Sequence, residues 1–345
     1  MTEIITIDRH IIDTGRRYTH ATGRFTGLLQ HIALAAKVVS ATVRRAGLVD
    51  VLGSTGRSNI QGEDVQKLDR LAHDTLLKMM VESGYLAVMA SEEDDDIIVV
   101  PNDDRRGSYV VNFDPLDGSS NIDANASIGT IFSVLPRRTP VHNEPNETDC
   151  LQPGRAQLAA GYVVYGSSTM FIYTTGAGVH GFTLDPTYGE FILSHPNIRT
   201  PEYGVYYSAN TGNTEFWPEG VKQFISGLHT RDEKRQTPFT ARYIGSLVPD
   251  FHRNLIYGGI FLYPPDTKKD PRRPKPKLRL LYEANPLAFV CEQAGGRASD
   301  GFQNILDIIP SELHQRVPLY IGSKRNVDEL EEYIRRYGRP DGEQG

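Results

Sequence analysis

Cysteine is nearly absent from this 345-residue chain: Cys150 and Cys291 are the only two, so no disulfide framework holds the fold. Cys291 follows Ala288-Phe289-Val290 and is expected to be a buried small hydrophobe, whereas Cys150, in a polar stretch, is expected to be exposed. An excess of positive charge is missing too. The formal net charge of −6 lacks the basic footprint of a general nucleic-acid binder, so no nucleic-acid partner is expected. No window reads as an unbroken apolar run of membrane length, and residues 1–10 carry no signal-peptide pattern. A cytoplasmic protein without a membrane partner is therefore expected. Internal repeats and low-complexity tracts are lacking as well. What remains is a chain long enough for two domains or one large α/β unit.

One run carries most of the chemical information. Residues 114–123 read Asp-Pro-Leu-Asp-Gly-Ser-Ser-Asn-Ile-Asp, directly after the strand-forming run Tyr109-Val110-Val111-Asn112-Phe113. Asp114 is expected at a strand end, with Pro115 stopping further ladder pairing. Asp114 and Asp117 can then converge on one point, as hard oxygen ligands suited to Mg²⁺ or Mn²⁺. Gly118, Ser119, Ser120 and Asn121 offer backbone N–H groups and hydroxyls for an anion-binding concavity. A carboxylate-held cation beside a phosphate-sized nest suits metal-assisted phosphoryl chemistry. Each residue type is also an ordinary turn former, and it is their joint occurrence that points to a site.

Periodicity supplies the frame. Helices are expected over residues 24–46, 64–83 and 327–337, with a further one from Asn285-Pro286 to Gly295. Strands are expected over 97–100, 109–113, 130–135, 161–165, 170–174, 179–184 and 190–193, and in the second half over 203–208, 255–263 and 277–282. Residues 137–157 read as an exposed proline-rich loop. Strands interleaved with helices favour a layered α/β architecture. Five consecutive carboxylates, Glu92 to Asp96, precede one strand; a solvated acidic loop and a metal-holding turn both fit them.

The 114–123 run resembles the signature of the Mg²⁺-dependent, lithium-sensitive sugar and inositol phosphatases. The likeness to class I fructose-1,6-bisphosphatases extends from about Thr22 to about Arg335, through Ser91-Glu92-Glu93-Asp94, Leu281-Tyr282-Glu283-Ala284-Asn285-Pro286 and others. The resemblance implies alternating helix and sheet layers, with an N-terminal metal-binding and regulatory part (residues 1–200) and a C-terminal sugar-phosphate-binding part (201–345). It implies hydrolysis of fructose 1,6-bisphosphate by water, with two or more Mg²⁺ ions (or Mn²⁺) held by Glu92, Asp114, Asp117, Glu283 and the carbonyl of Leu116. Glu63, Asp69 and Glu93 would prepare the water, although Glu63 also suits a helix N-terminus. Substrate contacts implied are Asp117, Gly118, Ser119, Ser120, Asn210, Arg242, Tyr243, Tyr263 and Lys277. Arg242 would serve a neighbouring subunit, and a homotetramer is implied. Asn213 stands where many members have a phosphate-binding tyrosine, and the loop Lys268–Lys277 is longer and more basic than usual.

An effector site is implied at Thr22, Gly23, Thr26 and Tyr109, because a helix N-terminus can hold an anion. Ser108 and Pro136 replace the family lysine and arginine there, so AMP itself is not the expected ligand. Sedoheptulose 1,7-bisphosphate is the nearest alternative substrate. An inositol monophosphatase would have no reason to keep the Arg242-Tyr243 and Tyr263 region. A silent sugar-phosphate sensor would not need Glu92, Asp114, Asp117 and Glu283 together.

Overall fold

The computed structural model describes residues 4–15, 23–46, 48, 52–58, 64–101 and 106–337. Thr22 and Glu63 lie outside the described residues, as do 338–345. Three helices come first, α1 (Ile7–Gly15), α2 (Gly23–Val43) and, after the short pair β1 (Ser54–Ser58) and β2 (Asp64–Gln66), α3 (Lys67–Glu82). The helix expected from Asp64 thus starts at Lys67, because residues 64–66 pair with β1.

An eight-stranded sheet follows, from β3 (Leu86–Ser91), β4 (Ile98–Val99), β5 (Tyr109–Asp117), β6 (Ile128–Pro136), β7 (Ala159–Tyr165), β8 (Thr169–Thr174), β9 (Val179–Asp185) and β10 (Glu190–Ile198). Its order is β10-β9-β8-β7-β6-β5-β3-β4. From β5 to β10 it is an antiparallel meander, whereas β3 runs parallel to β5. At the β10 edge, Leu193 N–H donates to Ile5 O (2.8 Å), so the chain start covers part of the open edge.

Strands β3 and β5 to β8 of this sheet are buried on both faces, and that explains their near-continuous apolar runs. Alternate residues such as Phe132, Val163 and Phe171 pack with Leu28, Ile32, Leu68 and Leu76 of α2 and α3. Their neighbours Ile131, Tyr162 and Ile172 pack instead against helices α5 (Leu247–Tyr257) and α6 (Asn285–Gln293). Those helices also cover a second, five-stranded sheet, of order β12-β11-β13-β17-β15. Its strands are β11 (Tyr206–Ser208), β12 (Thr240–Ala241), β13 (Ile260–Tyr263), β15 (Arg297–Ser299) and β17 (Leu319–Gly322); β14 (Leu278–Arg279) and β16 (Arg316–Val317) form a separate pair. On its far side lie α4 (Glu219–His229) and α7 (Lys324–Tyr337). Helix, sheet, helix, sheet and helix layers therefore alternate.

Several expectations change. Helices α1, α4 and α5 and strand β3 carry no sequence expectation, and residues 255–257 close α5 instead of opening a strand. Helix α2 reaches the length and mean hydropathy of a minimal membrane span, but Gln30, His31 and Lys37 interrupt its apolar run, and half of it is buried in the helical layer of the core. The 137–157 segment is not a free loop: Asp149 is fully buried and accepts N–H groups from Arg138 and Thr139 (2.7 and 2.8 Å). Cys150 is buried with it, and Cys291 is buried as expected.

Phe171, 1% exposed, has ring centroids of Phe132 and Phe191 at 5.5 Å. Phe171→Ala is expected to lower unfolding free energy by about 3–5 kcal/mol in urea titrations, against about 0.5 kcal/mol or less for Ala at exposed Tyr188.

Candidate active site

Parallel pairing of β3 with β5 builds the site. Ser91 lies opposite Phe113, so both strands end at the same sheet edge, and Glu92 N–H donates to Phe113 O (3.1 Å). The acidic turn 92–94 after β3 and the acidic C-terminal end of β5, 114–117, thereby become neighbours at the carboxyl ends of the strands, the usual crevice of an α/β sheet. Pro115 does not end the ladder as expected. Strand β5 continues to Asp117, which pairs with Gly129 after a bulge. A bulge tolerates the missing N–H and re-aims the flanking carboxylates.

The third wall comes from the C-terminal half. Residues 280–284 form a single π-helical turn feeding α6, where a strand was expected, and this turn carries Glu283 inward. One oxygen from each of Asp114, Asp117 and Glu283 lies within 4.8 Å of the others, and all three residues are buried. Glu92 joins the same cavity, which measures about 960 Å³. Arg279, 8% exposed, supplies a counter-charge: its guanidinium contacts Glu92, and its backbone N–H donates to Glu283 Oε2 (2.6 Å). A buried set of hard oxygen donors fits Mg²⁺ or Mn²⁺ and suits no soft metal.

Asp117 is held by the start of α5. Val248 N–H and Ser246 Oγ–H donate to its Oδ2 (2.7 and 3.0 Å), and Leu247 N–H donates to Oδ1 (3.3 Å). A helix N-terminus favours the carboxylate by hydrogen bonding and by its dipole. Gly118 must follow with φ +80°, and a Cβ there would sit 2.2 Å from Ser246 Oγ, so only glycine lets the signature loop dock.

Crowding shows in the proton affinities. Burial, then the neighbouring Glu92, pushes Glu93 up to about 9. Burial raises Glu283 to about 8 despite Arg279. Asp114 is pushed well above the carboxylate range by burial and by Glu92, Asp117 and Glu283. Asp117, also buried, reaches only about 6 because the α5 donors oppose the rise. Such a cluster is poised to exchange protons for a cation.

The cavity wall also includes Asp69, Glu93, Leu116, Gly118, Ser119, Ser120, Tyr243, Tyr263 and Lys277. Burial raises the Tyr243 hydroxyl to about 12, keeping it a donor. Asn210 and Arg242 are not on this wall: both are exposed, and Arg242 Nη1 donates to Ala241 O (3.0 Å). Gly23, Thr26 and Tyr109 are not on this wall either. Phe25 and Tyr109 have ring centroids 5.6 Å apart at the start of β5, eight strand residues and roughly 25 Å from Asp117.

Sequence reasoning missed several wall residues. Arg279 lies inside the strand expected over 277–282, where only Lys277 was singled out. Asp266, buried, binds Lys277 Nζ (2.8 Å), and nothing in its proline-flanked context marked it. Lys269, Lys275 and Arg316 line the same cavity. Ser246 could have been found as a helix N-cap type ahead of an apolar run. His73, buried in α3, stacks on Phe113 (5.8 Å), and its ring holds Asp94 below the usual carboxylate range.

Comparison with known proteins settles the family. Residues 5–196 match the model of the fructose-1-6-bisphosphatase N-terminal domain, and residues 200–335 match that of the C-terminal domain. The chain belongs to the fructose-1,6-bisphosphatase family. It is 56% identical to the class 1 fructose-1,6-bisphosphatase of Chloroherpeton thalassium over 96% of this chain and 94% of that one. The class 1 protein of Maridesulfovibrio salexigens is 54% identical over 96% and 97%. Among solved structures, Leishmania major fructose-1,6-bisphosphatase in holo form matches with TM-score 0.89 and 40% identity, covering 97% of this chain and all of that one. The sugar-phosphatase fold of that family is the alternation of layers described above.

A raised carboxyl pKa means the folded state binds the proton more tightly than the unfolded chain, whose acids titrate at roughly 4. The metal-free protein should therefore lose stability as pH rises from about 4 through the folded values of about 6 for Asp117, 8 for Glu283 and 9 for Glu93. Calorimetry should show Tm falling between pH 6 and pH 9 in EDTA, with the decline removed by Mg²⁺ or Mn²⁺. A flat EDTA profile would contradict the crowding.

Proposed function

We propose that this chain hydrolyses D-fructose 1,6-bisphosphate to D-fructose 6-phosphate and inorganic phosphate by direct attack of water, as a gluconeogenic step. The observation that carries the reading is the buried acidic trio Asp114, Asp117 and Glu283 facing a tyrosine- and lysine-lined wall in one cavity. Full-length similarity to class 1 fructose-1,6-bisphosphatases supports the substrate.

In this reading Glu92, Asp114, Asp117, Glu283 and the Leu116 carbonyl hold two or more divalent cations. Such cations, when bound, neutralise phosphoryl oxygens, assist the departing sugar oxygen and make water a better nucleophile. Glu93 and Asp69, with Glu63, accept the proton of that water. Gly118, Ser119 and Ser120 cradle the 1-phosphate. Tyr243, Tyr263 and Lys277 orient the sugar and its 6-phosphate, with Asn210. Asp266 beside Lys277 fixes where that ammonium sits. We further propose residues 1–200 as the metal-binding part and 201–345 as the sugar-phosphate part; the two sheets, one before and one after residue 200, support the division. The exposed position of Arg242 supports a role toward a neighbouring copy in a homotetramer. Gly23, Thr26 and Tyr109, with Thr22, form the proposed effector site. A cytoplasmic location fits the two buried thiols.

The test is metal-dependent phosphate release from fructose 1,6-bisphosphate, sedoheptulose 1,7-bisphosphate and inositol 1-phosphate side by side. Fructose 1,6-bisphosphate should be preferred, with activity lost in EDTA; preference for the sedoheptulose ester would overturn the pocket assignment. Asp114→Asn should lower kcat on the order of 10²-fold or more, since it removes a ligand worth several kcal/mol of charge stabilisation.

A further inference from the structure

We propose that His73 is a positioning residue that fixes the backbone of the water-activating Glu93 through a one-way hydrogen-bond relay, Asp94–His73–Ser91–Glu93; the proposal rests on the role given to Glu93 above. His73 lies one helical turn after Asp69 on α3 and is 1% exposed. Its Nε2 is 3.3 Å from Asp94 Oδ2, and its Nδ1 is 3.0 Å from Ser91 Oγ. Glu93 N–H in turn donates to Ser91 Oγ (3.3 Å).

The donors sort in only one consistent direction for a neutral ring. A carboxylate accepts only, so Nε2 carries the proton and donates to Asp94. Nδ1 is then a lone pair and accepts the Ser91 hydroxyl proton. That leaves the Ser91 oxygen with lone pairs for the Glu93 N–H. His314 Nε2 donates to Asp94 O (2.9 Å) and holds the far end of the relay. Three elements meet at this one imidazole. Its own helix carries Asp69, the Ser91–Asp94 turn carries Glu92 and Glu93, and the ring stacks on Phe113 (5.8 Å, 24°), the residue before Asp114.

A serine, a histidine and an aspartate in line resemble a hydrolase triad, but the geometry forbids that role. Ser91 is 0% exposed and is not on the cavity wall, so its hydroxyl cannot reach a substrate. The relay therefore acts on backbone position. A turn of adjacent carboxylates repels itself, and a hydrogen-bonded chain through a buried imidazole restrains it.

His73→Phe keeps the stacking and removes both hydrogen bonds, while His73→Gln restores an acceptor and a donor. Outer-shell partners of this kind change activity roughly 10- to 100-fold. His73→Phe should lower kcat for fructose 1,6-bisphosphate by about that factor with KM changed less than about twofold, and His73→Gln should recover most of it. Hydrogen exchange of the peptide spanning Glu93, read by mass spectrometry without substrate, should speed up in His73→Phe and return toward wild type in His73→Gln. Asp94→Ala, at a side chain 31% exposed, removes the acceptor, tests the same relay should the His73 variants not fold, and should reproduce both effects. Wild-type kcat in His73→Phe or Asp94→Ala, or unchanged exchange at Glu93, overturns the proposal. Exchange that changes while the wild type itself releases no phosphate overturns the reading of the site instead.

Discussion

Mutual repulsion among buried carboxylates is the constraint on which the rest of this structure turns. Asp114, Asp117 and Glu283 meet within 4.8 Å, and Glu92 and Glu93 line the same cavity. No packing arrangement makes that favourable by itself. The fold meets the cost with fixed positive ends: the Arg279 guanidinium against Glu92, and the start of α5 against Asp117. What remains uncompensated is the affinity for cations. The site is thus built from a deliberate shortfall of positive charge, and the apolar layers around it supply the stability that the site consumes.

Local chemistry was legible from sequence wherever it is written in consecutive residues. The run from Asp114 to Asp117 announced converging carboxylates, and strands β5 to β8 were readable because both their faces are buried. Legibility failed where function depends on residues brought together by topology. Strand β3 was not anticipated, so the parallel register that sets Ser91 beside Phe113, and hence Glu92 beside Asp114, was invisible.

Two further misreadings share a cause. Leu255-Ile256-Tyr257 and Leu280-Leu281-Tyr282 are β-like in composition, yet they close α5 and form a π-helical turn, because the tertiary packing of buried Leu255, Leu280, Leu281 and Tyr282 overrides propensity. Arg279, Asp266 and His73 were overlooked for a different reason. A lone ionisable residue has no signature of its own, and its partners lie 4 to 187 positions away, as Arg279 with Glu283 and with Glu92 illustrates.

The bond from the start of α5 to Asp117 also has a historical consequence. The signature loop and the helix that receives it are encoded about 130 residues apart, yet Gly118 leaves no room for any side chain between them. The two halves of such a gene cannot be exchanged freely among relatives. A recombinant would inherit a complete set of acids and still misplace them, unless the crossover brought along a matching seam at Ser246. Inheritance of this activity is therefore tied to a contact that performs no chemistry.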